Sequence, residues 1–178
     1  MRNVFILTAA MTLILVAIPA LGQHPAEIGV DVGWTGLGDD VGNANAWRVG
    51  FRAGVYLRRW IEIEGQVTGA RASEGVGNVD LDTTLLTALV NGVFSVRHKN
   101  WSPYALVGFG GANLQVSPGI SSFSDFAQAW QAGGGSRFFV SKNAALRAEV
   151  TFLRENTFNA WNGHWSVTGG VSWVFGER

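Results

Sequence analysis

The residues best placed to do chemistry in this chain are His164 and Ser166, two positions apart in His164-Trp165-Ser166. On an extended strand, residues i and i+2 share a face, so the imidazole could serve as general base to the hydroxyl. The competing reading is a histidine at the loop edge of a strand. His24 and His98 have no second histidine or carboxylate at metal-ligand spacing. Asp39, Asp40, Asn43 and Asn45 form an oxygen-rich cluster suited to a hard divalent cation. Their spacing matches no EF-hand, and a solvated loop accounts for them. Gly108, Gly110, Gly111 and the run 133–135 lie within strand-like stretches, where they relieve crowding. They form no phosphate-binding fingerprint. No metal site and no cofactor are expected.

The bulk numbers narrow the class. The chain has 178 residues, no Cys, 24 Gly, 8 Trp and 11 Phe, and 13 basic residues balance 13 acidic ones. That length suits one domain. Neutral charge argues against a nucleic-acid partner, which needs a basic surface. Charged residues make up 15% and hydrophobic ones 47%, whereas about a quarter charged is typical of soluble domains. An outer surface facing lipid needs no charge, and that resolves the imbalance.

Residues 1–22 read as a secretory signal peptide. Arg2 is its positive start, Val4 to Ile18 is an uncharged apolar run, and Ala20-Leu21-Gly22 places cleavage before Gln23. The run is short of the roughly 20 residues that a membrane helix needs. Residues 23–178 are then the mature domain. No later stretch approaches a membrane helix, so the remaining hydrophobicity must sit in strands.

Eight segments of alternating type follow. In segment one, Glu27 to Thr35, Ile28, Val30, Val32 and Trp34 oppose Glu27, Gly29, Asp31 and Gly33. Segment two, Ala46 to Leu57, opposes Trp47, Val49, Phe51 and Val55 to Arg48, Gly50, Arg52, Gly54 and Tyr56. Segment three, Trp60 to Gly69, sets Ile61, Ile63 and Val67 against Glu62, Glu64, Gln66 and Thr68. Segments four, Asp82 to Ser95, and five, Tyr104 to Val116, are ambiguous in phase. For segment four, Leu86, Ala88, Val90 and Phe94 are read as outward, with Thr87 and Asn91 inward. Segment six, about Phe126 to Val140, has Arg137 inward and Trp130, Ala132, Gly134 and Phe138 outward. Segment seven, Ala145 to Arg154, opposes Leu146, Ala148, Val150 and Phe152 to Arg147, Glu149 and Thr151. The last, His164 to Phe175, puts Trp165, Val167, Val171, Trp173 and Phe175 opposite Ser166, Thr168, Gly170 and Ser172. Residues 36–45, 70–81, 117–125 and 155–163 read as longer loops. Residues 58–59, 96–102 and 141–144 read as shorter turns. Long and short links in succession suit an up-and-down meander with short periplasmic turns and longer external loops.

The charges decide which face is inside. Asp31, Arg48, Arg52, Glu62, Glu64, Arg137, Arg147 and Glu149 all fall on the polar faces. An eight-stranded barrel has an interior just wide enough for side chains to fill it. Four acids and four arginines could satisfy one another there by bidentate hydrogen bonds, giving a plugged polar lumen. A soluble barrel with the greasy faces inside would leave the aromatic count too high and the polar-face glycines unexplained. Trp34, Trp47, Trp60, Trp101, Trp161, Trp165, Trp173 and Phe175 lie near strand ends, where interfacial girdles sit. The expected fold is all-β: an eight-stranded antiparallel up-and-down transmembrane β-barrel.

Segments such as PYALVGFGGA at 103–112, AWQAGGGSRFFVSKNAALRAEVTF at 129–152 and the closing VSWVF resemble small outer-membrane β-barrels of the OmpA/OmpX and opacity-protein type. The likeness spans essentially the whole mature chain. It implies location in the bacterial outer membrane, with lipid and lipopolysaccharide as surroundings. It also implies insertion by the barrel assembly machinery, which reads an alternating last strand ending in an aromatic residue; Trp173 and Phe175 match that pattern, although Gly176-Glu177-Arg178 follow them. The His-x-Ser element faintly resembles that of outer-membrane lipid A deacylases, themselves eight-stranded barrels; the Asn that follows Ser there is Val167 here, and the resemblance implies Glu155 as the third member of such a site. The leading expectation is a non-enzymatic, monomeric barrel with a structural or surface-interaction role. Its alternatives are a narrow small-solute channel and a lipid A-modifying enzyme using His164 and Ser166.

Overall fold

Alternation of apolar and small polar residues gives each segment two faces, and the chain buries the charged face by closing on itself. The computed structural model describes residues 24–36, 45–76, 79–118, 123–157 and 160–176. It is a closed antiparallel barrel of eight strands in sequence order. They are β1 (Ala26–Gly36), β2 (Asn45–Arg58), β3 (Ile61–Val76), β4 (Val79–Ser95), β5 (Trp101–Pro118), β6 (Phe123–Phe139), β7 (Ala144–Thr157) and β8 (Ala160–Phe175). β1 pairs with β8 from Ala26 opposite Phe175 to Gly36 opposite Trp165, so the first and last strands seal the wall. Closure removes the unpaired edges that an open sheet would present.

Side-chain exposure reverses the pattern of a soluble protein. Trp47 and Trp165 are each 62% exposed, whereas Arg52 is 2% and Arg137 1% exposed. The ambiguous strands resolve in the same sense. Leu86, Ala88, Val90 and Phe94 of β4 face outward and Thr87 and Asn91 inward. In β5, Tyr104, Leu106, Ala112 and Leu114 point into the barrel, and Val107 and Phe109 point away.

Glycines on the inner face make room for the charges. A Cβ on Gly50 would lie 2.6 Å from the Asp31 carboxylate oxygens, and one on Gly54 would strike Glu62 Oε1. At Gly135 it would strike the Ala148 carbonyl oxygen and lie 2.7 Å from the Tyr104 hydroxyl.

Three connections differ from the sequence expectation. The stretches 70–81, 117–125 and 155–163, read as loops, are largely ladder: β3 and β4 pair out to Val76 opposite Val79, and β7 and β8 to Thr157 opposite Ala160. Alternating link length is therefore not a property of the fold. Gly, Asn, Asp and Ser weaken strand propensity, but a hairpin already registered by its apolar part continues its ladder through them. Residues 1–22, read as a signal peptide, and Asp39, Asp40 and Asn43 lie outside the described residues.

Candidate functional site

Among the described residues the lumen gathers the buried ionisable groups, and the inward parity of the strands puts them there. Nearest the chain ends, Arg137 of β6 donates from Nε to Glu27 Oε1 at 3.1 Å and from Nη2 to Glu62 Oε2 at 2.5 Å. Tyr56 donates its hydroxyl to Glu27 Oε2. Arg147 of β7 reaches Glu27 Oε1 at 3.1 Å, Glu64 Oε2 at 2.8 Å and Glu149 Oε2 at 3.3 Å. The guanidinium carbons of both arginines lie over the Tyr104 ring, 4.8 and 4.9 Å from its centroid. That phenol also donates to Glu149 Oε2 at 2.7 Å.

One layer further in, Arg52 bridges three strands. Its Nη2 donates to Asp31 Oδ2 at 2.7 Å, and its Nη1 to Glu149 Oε2 at 2.9 Å and Glu64 Oε1 at 3.4 Å. A second bond, Nη2 to Glu149 Oε1 at 3.2 Å, makes the Glu149 contact bidentate. Neutral groups continue the network: Asn91 donates to Glu64 Oε1 at 3.2 Å, and Gln131 to Asn91 Oδ1 at 2.7 Å. Such contacts in a low dielectric are strong individually, but they largely repay the desolvation of the charges. Their consequence is geometric: guanidinium forks and carboxylates occupy the cross-section.

Seven of the eight charges singled out from sequence enter ion pairs; the eighth, Arg48, does not. It is 4% exposed and bonds neutral groups, from Nη1 to Thr151 Oγ1 at 3.3 Å and, with the Gln66 amide oriented to satisfy both its ends, from Nη2 to the Gln66 oxygen at 3.0 Å. The expectation of four acids matched to four arginines is corrected in a second respect, because Glu27 joins as a fifth acid. Its place on the polar face of segment one, in phase with Asp31, was the available signal. Above Arg48 the lumen turns apolar, with Leu85, Leu89, Leu114 and Leu153 packed against Ala70, Ala112 and Ala129. Between the two regions lies a cavity of about 10 Å³, lined by Arg48, Thr68, Thr87, Gln131 and Ser166 among others. It has room for about one water molecule.

The residues that opened the sequence reading stand beside this apolar layer, His164 opposite Leu153 in the β7–β8 ladder and Ser166 on the wall of the small cavity. His164 is fully buried, and its Nε2 lies 3.2 Å from Glu155 Oε1. Ser166 is also buried, and its Oγ donates to Thr35 Oγ1 at 2.9 Å. Histidine and serine share a face as the i, i+2 spacing required, and that face is the lumen. Glu155 was placed in a loop by its neighbours; it is in fact opposite Asn162 in the β7–β8 ladder. His24 and His98 are exposed, as is Asn45. Among the described residues no three His, Asp or Glu side chains cluster as metal ligands.

With greasy wall, charged lumen and closed meander established, the comparisons with known proteins are specific. The family described as "Outer membrane protein beta-barrel domain" matches residues 5–175. The chain belongs to that family. It is thus a bacterial outer-membrane β-barrel. Its fold is similar to Neisserial surface protein A, at 13% identity and a TM-score of 0.70, covering 83% of this chain and 96% of that one. It is also similar to Ail, the attachment invasion locus protein of Yersinia pestis, at 16% identity and a TM-score of 0.59, covering 85% and 99%. A third similar structure is the N-terminal β-barrel domain of Pseudomonas aeruginosa OprF, at 14% identity and a TM-score of 0.54, covering 84% and 97%. These likenesses show the fold. No curated protein matches the chain.

Proposed function

We propose that this outer-membrane barrel is sealed and non-enzymatic, and that its role is structural or one of surface contact. The carrying observation is the lumen, where Arg52 and Arg147 each meet three carboxylates and Arg137 meets two. A channel would have to part these groups and then wet the leucine and alanine layer above them. Against the enzymatic alternative, His164 and Ser166 face inward, so the barrel wall stands between them and an ester in the surrounding bilayer. The barrel is read as a monomer amid lipid and lipopolysaccharide. Trp173 and Phe175, 51% and 47% exposed on the outer face of β8, are the groups proposed to be read by the barrel assembly machinery. The test joins two readouts on one preparation. Vesicles holding the barrel should swell in small sugars no faster than empty ones, and lipid A from cells making it should keep its mass. Swelling would restore the channel; a mass change lost in Ser166→Ala would restore the enzyme.

A further inference from the structure

The two ends of the barrel differ in charge in a way the lumen does not use. Where the chain enters and leaves, the turns carry Arg58 and Arg59 between β2 and β3, Arg97 and Lys99 between β4 and β5, and Lys142 between β6 and β7. All five are exposed, and the described turns contain no carboxylate to oppose them. No described carboxylate forms an ion pair with any of the five. At the opposite end the described strand tips carry Glu74, Asp80, Asp82 and Asp125, against Arg71 and Arg154. A neutral chain therefore hides a strongly basic rim.

That rim lies beside the lipid-facing wall. Trp60, Phe94, Trp101 and Phe138 are 43–56% exposed on the outer face at this end. The Arg97 guanidinium carbon sits 5.5 Å from the Phe139 ring centroid. Outward aromatics of this kind mark headgroup depth. The cations also come from three hairpins that alternate around the closed barrel, so they form a ring with no single dominant face. A ring is complementary to a solvent that surrounds the barrel. A folded acidic partner would need one contiguous face and would leave the far hairpins unused.

We propose that this rim binds the headgroups of anionic glycerophospholipids in the leaflet around it. The phosphodiester is the anion available at that depth, and each basic residue near an anionic leaflet adds to the attraction. The proposal does not rest on a sealed lumen, and either reading survives failure of the other.

The full chain is reconstituted in phosphatidylethanolamine vesicles with phosphatidylglycerol as the minor lipid, released in mild detergent, and weighed with its bound lipids by native mass spectrometry. Phosphatidylglycerol should be enriched about fivefold or more over its share of the vesicle, since one such contact supplies about that factor. Enrichment should vanish at about 1 M salt, where the screening length is only about 3 Å. The variant combining Arg58→Gln, Arg59→Gln, Arg97→Gln, Lys99→Gln and Lys142→Gln should lose it while keeping the heat-dependent gel shift of a folded barrel. Arg71→Gln with Arg154→Gln, at the other end, should keep it. If the fivefold variant fails to fold, Arg58→Gln with Arg59→Gln and Lys142→Gln alone should each lose part. Equal retention of both lipids by the native chain, or unchanged enrichment in the folded rim variants, overturns the proposal. So does retention of the chain on isolated peptidoglycan through the same cations without lipid enrichment, which would assign the rim to the cell wall.

Discussion

Two halves of one lumen are packed by opposite chemistry. Toward the chain ends, Arg137, Arg147 and Arg52 are tied to five carboxylates across the barrel. Toward the other mouth, leucines and alanines pack the lumen around the polar contact of His164 with Glu155. Arg48 stands at the boundary, buried like the others and without a carboxylate. The difference teaches that the wall alone does not dictate a polar interior. What it dictates is a full one, and either a salt-bridge lattice or close-packed aliphatics meets that demand, with opposite sensitivities. A lattice fails when one member is removed and an uncompensated charge is stranded. An aliphatic layer fails by cavity formation.

The sharpest break in that contrast is Arg137→Ala. It leaves Glu27 with one cation fewer and strips Glu62 of the guanidinium that binds it. A loss of about 3–5 kcal/mol is expected in reversible urea unfolding from detergent. A loss near zero would mean that the residue faces water. Leu114→Ala in the upper half should cost less, about 2–3 kcal/mol, as a cavity opens beside small alanine neighbours. Urea unfolding should show it, and a cost equal to that of Arg137→Ala would erase the distinction between the halves. Arg48→Met is the mildest. It breaks no ion pair and removes only the bonds to Thr151 and Gln66, so its cost should stay within about 2 kcal/mol, the worth of two ordinary hydrogen bonds. If Arg48→Met unfolds at the urea midpoint of Arg137→Ala, the boundary position assigned to Arg48 is wrong.

Strand phase was legible wherever one face carried charge. Asp31, Arg52, Glu62 and Glu149 each fix the parity of a strand, because a one-residue slip would send the whole charged set into lipid. The phase of β4 and β5 was obscure because Leu85, Leu89 and Leu114 in the upper lumen and Leu106 in the lower point inward, so both faces of those strands are apolar. Hairpin tips were misread as loops because composition records propensity, whereas the ladder is set by a neighbour already in register. Closure of β1 on β8 follows from the alternation of the two end strands. The pairing of individual charges did not follow, since Arg137 and Glu27 are separated by 110 positions and meet only across the closed lumen. Arg48 has the same parity as Arg52, and no one-dimensional signal distinguishes the paired arginine from the unpaired one. The chemistry suggested by His164 and Ser166 was legible as a shared face. Which side of the wall that face lies on depended on the whole barrel.

The central claim is that salt bridges and leucines together seal the lumen, and single-channel recording in a planar bilayer tests it most directly. The account predicts no discrete conductance steps from the native barrel at any moderate voltage. Steady, reproducible steps from the native chain in high salt would contradict it.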